Sequence, residues 1–231
     1  MPMRMRVIAG YLGGRTFDAI ASSTTRPTSE RVREAWASSM DGLIPGGFAD
    51  AVVLDAFAGS GALGIEALSR GARHAVLCEL ARPAQKALKR AIDQLGVGDK
   101  ATLVALDCFA ATTPAVLASA ARRAAAHQPL SSVGATGGAS EAYDAVFLDP
   151  PYQTSPAQVG ELVCRLVEGG CVREGCVLSY EQAAARRLGD EDAAAWLTAI
   201  AEKSGGWLIM ERRKTYGTRA LDYFRYAAHL D

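Results

Sequence analysis

The tetrapeptide Asp149-Pro150-Pro151-Tyr152 closes the apolar run Ala145-Val146-Phe147-Leu148. A buried strand that ends this way presents a carboxylate, a carbonyl outside any sheet ladder and an aromatic face at one point. The two prolines continue neither helix nor sheet, so the turn is stiff and its carbonyls point outward. The exocyclic amine of a nucleobase needs two hydrogen-bond acceptors and a stacking surface, and this turn supplies both. Methyl transfer to such an amine is the chemistry it suits.

A second constellation lies upstream. Asp55-Ala56-Phe57-Ala58-Gly59-Ser60-Gly61-Ala62-Leu63-Gly64 follows the apolar run Ala51-Val52-Val53-Leu54, and Glu79 ends the next one. The glycines satisfy G-x-G-x-x-G, so a dinucleotide cofactor is one reading. Electrostatics favours another. A carboxylate at Asp55, just ahead of the turn, repels a pyrophosphate but attracts the sulfonium and ammonium of S-adenosylmethionine. Glu79 is placed to accept from ribose hydroxyls, and Asp107, at the end of a third strand, from an adenine amine. Three carboxylates at three successive strand ends suit a cationic adenosyl ligand.

The elements that must position these groups alternate. Strands are predicted over 51–54, 75–78, 101–106, 145–148 and 176–180, with helices over 62–69, 82–95, 109–127 and 156–167. Such alternation specifies an α/β fold with a mostly parallel sheet covered on both faces. Residues 207–226 read as two strands joined around Tyr216-Gly217-Thr218, an antiparallel pair that completes the sheet. Ser, Gly and Ala dominate 128–141, a surface insertion without chemistry. The polar stretch 183–204 is expected to hold a peripheral helix.

Ahead of the first strand, Thr28 or Ser29 is placed to cap a helix with Glu30 in its first turn. Val32, Ala35, Trp36 and Met40 share one face of it. Arg31 and Arg33 are expected to stay free.

The 231 residues carry no net charge, but both ends are basic: Arg4, Arg6, Arg15, Arg26, Arg31 and Arg33 at one, Lys203, Arg212, Arg213, Lys214, Arg219 and Arg225 at the other. If the ends meet, they form a local patch for phosphates. Five cysteines without a CxxC pair and three isolated histidines give no zinc spacing, so the thiols are read as reduced and buried, and no metal is expected. No apolar stretch is long enough to span a bilayer, and the start lacks a signal-peptide core, which predicts a cytoplasmic protein.

Taken in order, Asp55 to Gly64, Glu79, Asp107 and Asp149 to Tyr152 resemble the motifs of class I S-adenosylmethionine-dependent methyltransferases acting on base amines. The flanks Arg6-Val7-Ile8-Ala9-Gly10, Gly14-Arg15, Arg26-Pro27-Thr28-Ser29-Glu30-Arg31-Val32-Arg33-Glu34, the run from Phe57 to Ala72, and Lys214-Thr215-Tyr216-Gly217 resemble the RsmD family. That resemblance implies a Rossmann-like class I methyltransferase sheet, mostly parallel with its final strand antiparallel. Residues 1–40 become an RNA-binding extension with one helix, and 41–231 the methyltransferase domain.

The implied activity is methylation of guanine N2 in bacterial 16S ribosomal RNA, within the small ribosomal subunit or its assembly intermediate, by a monomer. Asp149, Pro150 and Tyr152 are then catalytic. Asp55, Phe57, Gly59, Gly61, Glu79, Asp107 and Cys108 hold the cofactor, and Arg4, Arg6, Arg15, Arg26, Arg31, Arg33 and Lys214 contact RNA. Adenine-N6 methylation of DNA and a non-catalytic RNA-binding assembly role are the alternatives.

Overall fold

The computed structural model describes residues 2–20, 29–126, 141–151, 153–183 and 207–227. The insertion at 128–141 and the helix expected in 183–204 lie outside them, save for their outermost residues.

Seven strands form one sheet in the order β5-β4-β3-β6-β7-β9-β8. They are β3 (Val52–Asp55), β4 (His74–Glu79), β5 (Ala101–Ala105), β6 (Tyr143–Leu148), β7 (Val172–Ala183), β8 (Leu208–Tyr216) and β9 (Arg219–Tyr226). From β5 to β7 all neighbours are parallel, while β9 runs antiparallel between β7 and β8. The mostly parallel sheet with an antiparallel final strand is as expected. The chain winds outward from β3 through β5, then returns to lay β6 against the other side of β3. That reversal opens a crevice at the carboxyl ends of β3 and β6, the usual ligand site of such sheets.

Alternation along the strands divides the core in two. Val53, Leu77 and Phe147 face one layer, made by α1 (Glu30–Leu43), α2 (Ala62–Ser69) and α3 (Arg82–Leu95). Val52, Leu54, Val146 and Leu148 face the other, made by α4 (Thr113–Ala126) and α5 (Pro156–Glu168). Both sheet faces are therefore dry, which is why the central strands read as continuous apolar runs. At the start of α5, Ser155 and Gln158 cap each other's backbone amides.

Three expectations need correction. The helix predicted from 109 begins at Thr113, because Asp107 ties the preceding residues into a turn: its side chain accepts from the Phe109 amide at 2.9 Å and its carbonyl from the Thr113 hydroxyl at 2.7 Å. β7 is longer than the predicted 176–180, since β9 pairs with it as far as Ala183.

Residues 1–40 hold more than one helix. β1 (Pro2–Arg6) and β2 (Thr16–Ile20) form an antiparallel hairpin whose Met5, Phe17 and Ala19 belong to the same core as α1 and α3. The Arg15 guanidinium closes the C-terminus of α3, donating to the carbonyls of Gln94 and Leu95 at 2.9 Å each. Glu66 and Ser69 of α2 grip the loop after β1. The Glu66 carboxylate accepts from the amides of Ile8 (2.8 Å) and Ala9 (3.1 Å), and the Ser69 hydroxyl from that of Leu12 at 3.0 Å. Gly10 lies so close that a Cβ there would sit 1.7 Å from the Ser69 carbonyl oxygen.

Candidate active site

The glycine turn joins β3 to α2. Gly59 and Gly61 adopt φ of +52° and +79°, and a Cβ on Gly61 would fall 2.3 Å from Leu88 Cδ1. Only glycine satisfies both demands. Gly64 lets α2 settle on β4, because a Cβ there would meet Leu77 Cδ2 at 2.2 Å. Glu79 braces the turn from the next strand, its two oxygens accepting from the Gly59 amide (2.9 Å) and the Ala81 amide (2.7 Å). Leu80, immediately beyond, is a large apolar side chain left 62% exposed.

Asp55 stands at the head of the turn and is 1% exposed. One oxygen accepts from the Gly64 amide at 3.1 Å; the other, Oδ1, is buried without a hydrogen-bond partner. Burial is the main reason its pKa is pushed up to about 7, with the nearby Glu79 charge adding to it and the Gly64 and Phe57 amides opposing. Asp55 therefore keeps its proton to a higher pH than an ordinary aspartate.

Asp149 leaves β6 beside Asp55. It lines a pocket whose other walls are Val32 and Trp36 of α1, Leu63 of α2, Leu148 of β6, Ser179 and Glu181 of β7, and Leu221 of β9. Its carboxyl is held well above the usual range, first by burial and then by the charges of Glu181 and Asp55, against the pull of Arg219. Trp36 is fixed in the wall by an edge-on contact with Phe147 (centroids 4.8 Å apart) and by its indole N–H, which donates to Ser179 Oγ at 3.0 Å.

The structure brings Asp55, Gly59, Gly61, Glu79 and Asp149 to one end of the sheet, with Pro150 buried beside Asp149. Phe57 is near them too, tilted against Phe109 at 5.5 Å. Asp107 is exposed after β5. Cys108 differs: its thiol is 3% exposed and donates to the Ala56 carbonyl at 2.7 Å, so its side chain supports the turn from beneath instead of lining it. All five cysteines are buried thiols. Among the described residues no His, Cys, Asp and Glu cluster suits a metal, and no helix is long and apolar enough to cross a membrane. Tyr152 and Arg26 lie outside the described residues.

The basic residues divide. Arg4 and Arg31 are exposed, and Arg6 is exposed in an ion pair with Glu30 at 2.5 Å. Arg33 contradicts the expectation that it stays free. It is 2% exposed and donates to the Arg6 carbonyl at 2.9 Å, because three- and four-residue spacing places it on the same face as Trp36 and Ala37. Lys214 is half-buried, its ammonium donating to Ser39 at 2.8 Å. Sequence reasoning missed Glu181, Leu80 and Glu66. Leu80 directly follows β4, and that position at a strand's carboxyl end was the available signal; Glu181 lies inside β7 and gave none.

A doubly wound sheet with a glycine turn after its first strand and carboxylates at successive strand ends defines the class I methyltransferase fold. The chain belongs to the family described as Conserved hypothetical protein 95, the RsmD family, which matches residues 5–213. It is 35% identical over 149 residues to YlbH of Bacillus subtilis, named as a candidate rRNA methyltransferase, covering 64% of this chain and 67% of that one. It is 41% identical over 96 residues to the ribosomal RNA small subunit methyltransferase D of Escherichia coli strain K12, covering 42% of this chain and 46% of that one, so this match spans about half that relative's length. Among solved structures, yhhF of Escherichia coli, a candidate methyltransferase, superimposes with a TM-score of 0.68 at 25% identity over 98% of this chain and all of that one. SMU.776, solved with SAH, shares the fold at a TM-score of 0.54 and 15% identity, over 81% of this chain and 48% of that one.

Proposed function

We propose that this protein transfers a methyl group from S-adenosylmethionine to the exocyclic N2 of a guanine in bacterial 16S ribosomal RNA. The observation that carries the reading is the buried acidic group at the crevice. Asp55 and Asp149 lie close enough for the Asp55 charge to raise the Asp149 carboxyl, and Asp55 keeps a buried oxygen that no donor or cation meets. A ligand with a sulfonium and an ammonium supplies what is missing. A pyrophosphate makes the imbalance worse.

Asp55 Oδ1 would accept from the ammonium end, Glu79 from the ribose hydroxyls, and Leu80 would offer an apolar face to the adenine. The group bound there supplies an electrophilic methyl on sulfur. Asp149 and the Pro150 carbonyl would accept the two N–H bonds of the guanine amine, favouring a pyramidal nitrogen whose lone pair faces that methyl. Tyr152 would stack on a base turned out of its helix. The amine nitrogen would take the methyl, the bond to sulfur leaving with its electron pair, and the nitrogen's proton would pass to Asp149 or to water. Positioning and electrostatics supply the rate.

Residues 1–40 serve as the RNA-facing part of the protein. Val32 and Trp36 already wall the target pocket, and the exposed Arg4, Arg6 and Arg31 are suited to phosphates, which position a substrate without specifying sequence. The names of the rRNA methyltransferase relatives support ribosomal RNA as the substrate, and one of them names the small subunit.

The test is transfer from labelled S-adenosylmethionine to unmethylated small subunits, naked 16S RNA and DNA, with analysis of the product nucleosides. N2-methylguanosine from the ribosomal substrates is expected. N6-methyladenosine in DNA overturns the substrate, and no product on any of the three overturns the enzyme.

A further inference from the structure

The pocket holds a second carboxylate that the reaction above does not use. Leu148 pairs with Tyr180 across the parallel strands β6 and β7, so Asp149 and Glu181 follow side by side, their backbones about 5 Å apart. Both line the same pocket. Arg219 pairs with Glu181 in an ion pair that is largely buried on both sides. A carboxylate offers about four lone-pair directions, and the pair with Arg219 fixes how Glu181 presents them. Around the two acids the wall is apolar, apart from Ser179, which accepts the Trp36 N–H.

We propose that Glu181 is the residue that selects guanine, by accepting the N1–H that guanine carries beside its 2-amine. The inference rests on the reading of Asp149 as the acceptor of that amine. On this edge guanine presents donors at both N1 and N2, and two acceptors on neighbouring strands match them. Adenine presents an amine next to the lone pair of its N1. With adenine's amine on Asp149, that lone pair would face the Glu181 oxygen in a largely apolar pocket, where an unmatched polar pair is costly. Sites that hydrogen-bond a substrate N–H reject the analogue lacking it far more strongly than apolar pockets reject a change of size. The Asp-Pro-Pro turn serves either base amine. Glu181 is what makes the pocket read the neighbouring ring atom.

The probe is 2-aminopurine, which keeps the 2-amine and replaces N1–H by a lone pair. Small-subunit RNA with guanosine or 2-aminopurine riboside at the methylated position is presented to the wild-type protein and to Glu181→Gln. Wild-type kcat/KM is expected to fall on 2-aminopurine by about 100-fold or more. In Glu181→Gln the two substrates should come within about tenfold of each other, since the amide can donate to the lone pair. Cofactor affinity stays unchanged, which separates selection from damage to the fold.

An unaltered ratio in the variant overturns the proposal. Equal wild-type rates on the two RNAs also overturn it, and that arm needs no variant to fold. A wild-type protein that binds the cofactor but methylates neither RNA overturns the guanine-N2 reading itself, and Glu181's role with it.

Discussion

Replacing Asp55 by Asn tests the electrostatic reasoning at its root. The carboxyl is lifted from its ordinary 3.8 to about 7. At roughly 1.4 kcal/mol per pH unit, holding it ionised inside the fold costs on the order of 4 kcal/mol. The sign follows from linkage. Below about pH 4 the group is neutral in folded and unfolded chains alike and costs nothing. From about pH 4 to 7 the unfolded chain ionises while the fold keeps its proton, so stability falls as pH rises, and above about pH 7 the full cost is present. Asn carries no charge at any pH, and its oxygen can still accept from the Gly64 amide.

Without cofactor, Asp55→Asn should therefore be more stable than wild type. The gap should widen by about 2–3 kcal/mol between roughly pH 5 and pH 8. Urea unfolding at the two pH values measures it. In the same variant, calorimetry should show S-adenosylmethionine binding weakened at least about tenfold near pH 8. The rise of wild-type affinity through about pH 7, with its proton release, should disappear. A stability gap that does not change with pH, or a variant less stable than wild type near pH 8, refutes the account of Asp55 as a buried acid awaiting a cation.

Asp149→Ala should abolish detectable methyl transfer while cofactor affinity, measured by calorimetry, stays within about threefold of wild type. Arg15→Ala should lower stability in urea by about 1–2 kcal/mol through loss of its two bonds to the end of α3, and leave the salt dependence of RNA binding unchanged. Arg31→Ala should do the reverse, keeping stability and reducing the slope of log affinity against log salt by about one. Gly61→Ala must accommodate both a φ of +79° and a Cβ 2.3 Å from Leu88 Cδ1; a loss of about 2 kcal/mol or more is expected in urea melts.

What was legible in the sequence follows from how local its cause is. The runs that became β3, β4 and β6 are buried on both faces, so composition alone marked them, and the glycines at 59, 61 and 64 answer to contacts within one strand-turn-helix unit. The N-terminal hairpin was less visible because Met3, Met5 and Val7 alternate with Arg4 and Arg6. Alternation of that kind reads equally as a half-buried strand or a basic arm until α3 supplies the covering surface. Arg33 was misjudged because its polarity outweighed its spacing, although it falls on the Trp36 face. Glu181 was invisible as a pocket residue because its role depends on β6 and β7 being neighbours in register, a fact of topology that no single segment encodes.

The grip of α2 and α3 on the first twenty residues also bears on how the molecule is made. The hairpin is synthesised before the elements that hold it, for its bonds reach partners at Glu66, Ser69, Gln94 and Leu95. α1 waits longer still, for Ser179 and Lys214. Contacts so distant along the chain form late and slow folding. The Val32 and Trp36 wall of the pocket is therefore made well before the strands that fix it, so a chain stalled before β8 would carry the glycine turn but only part of the pocket.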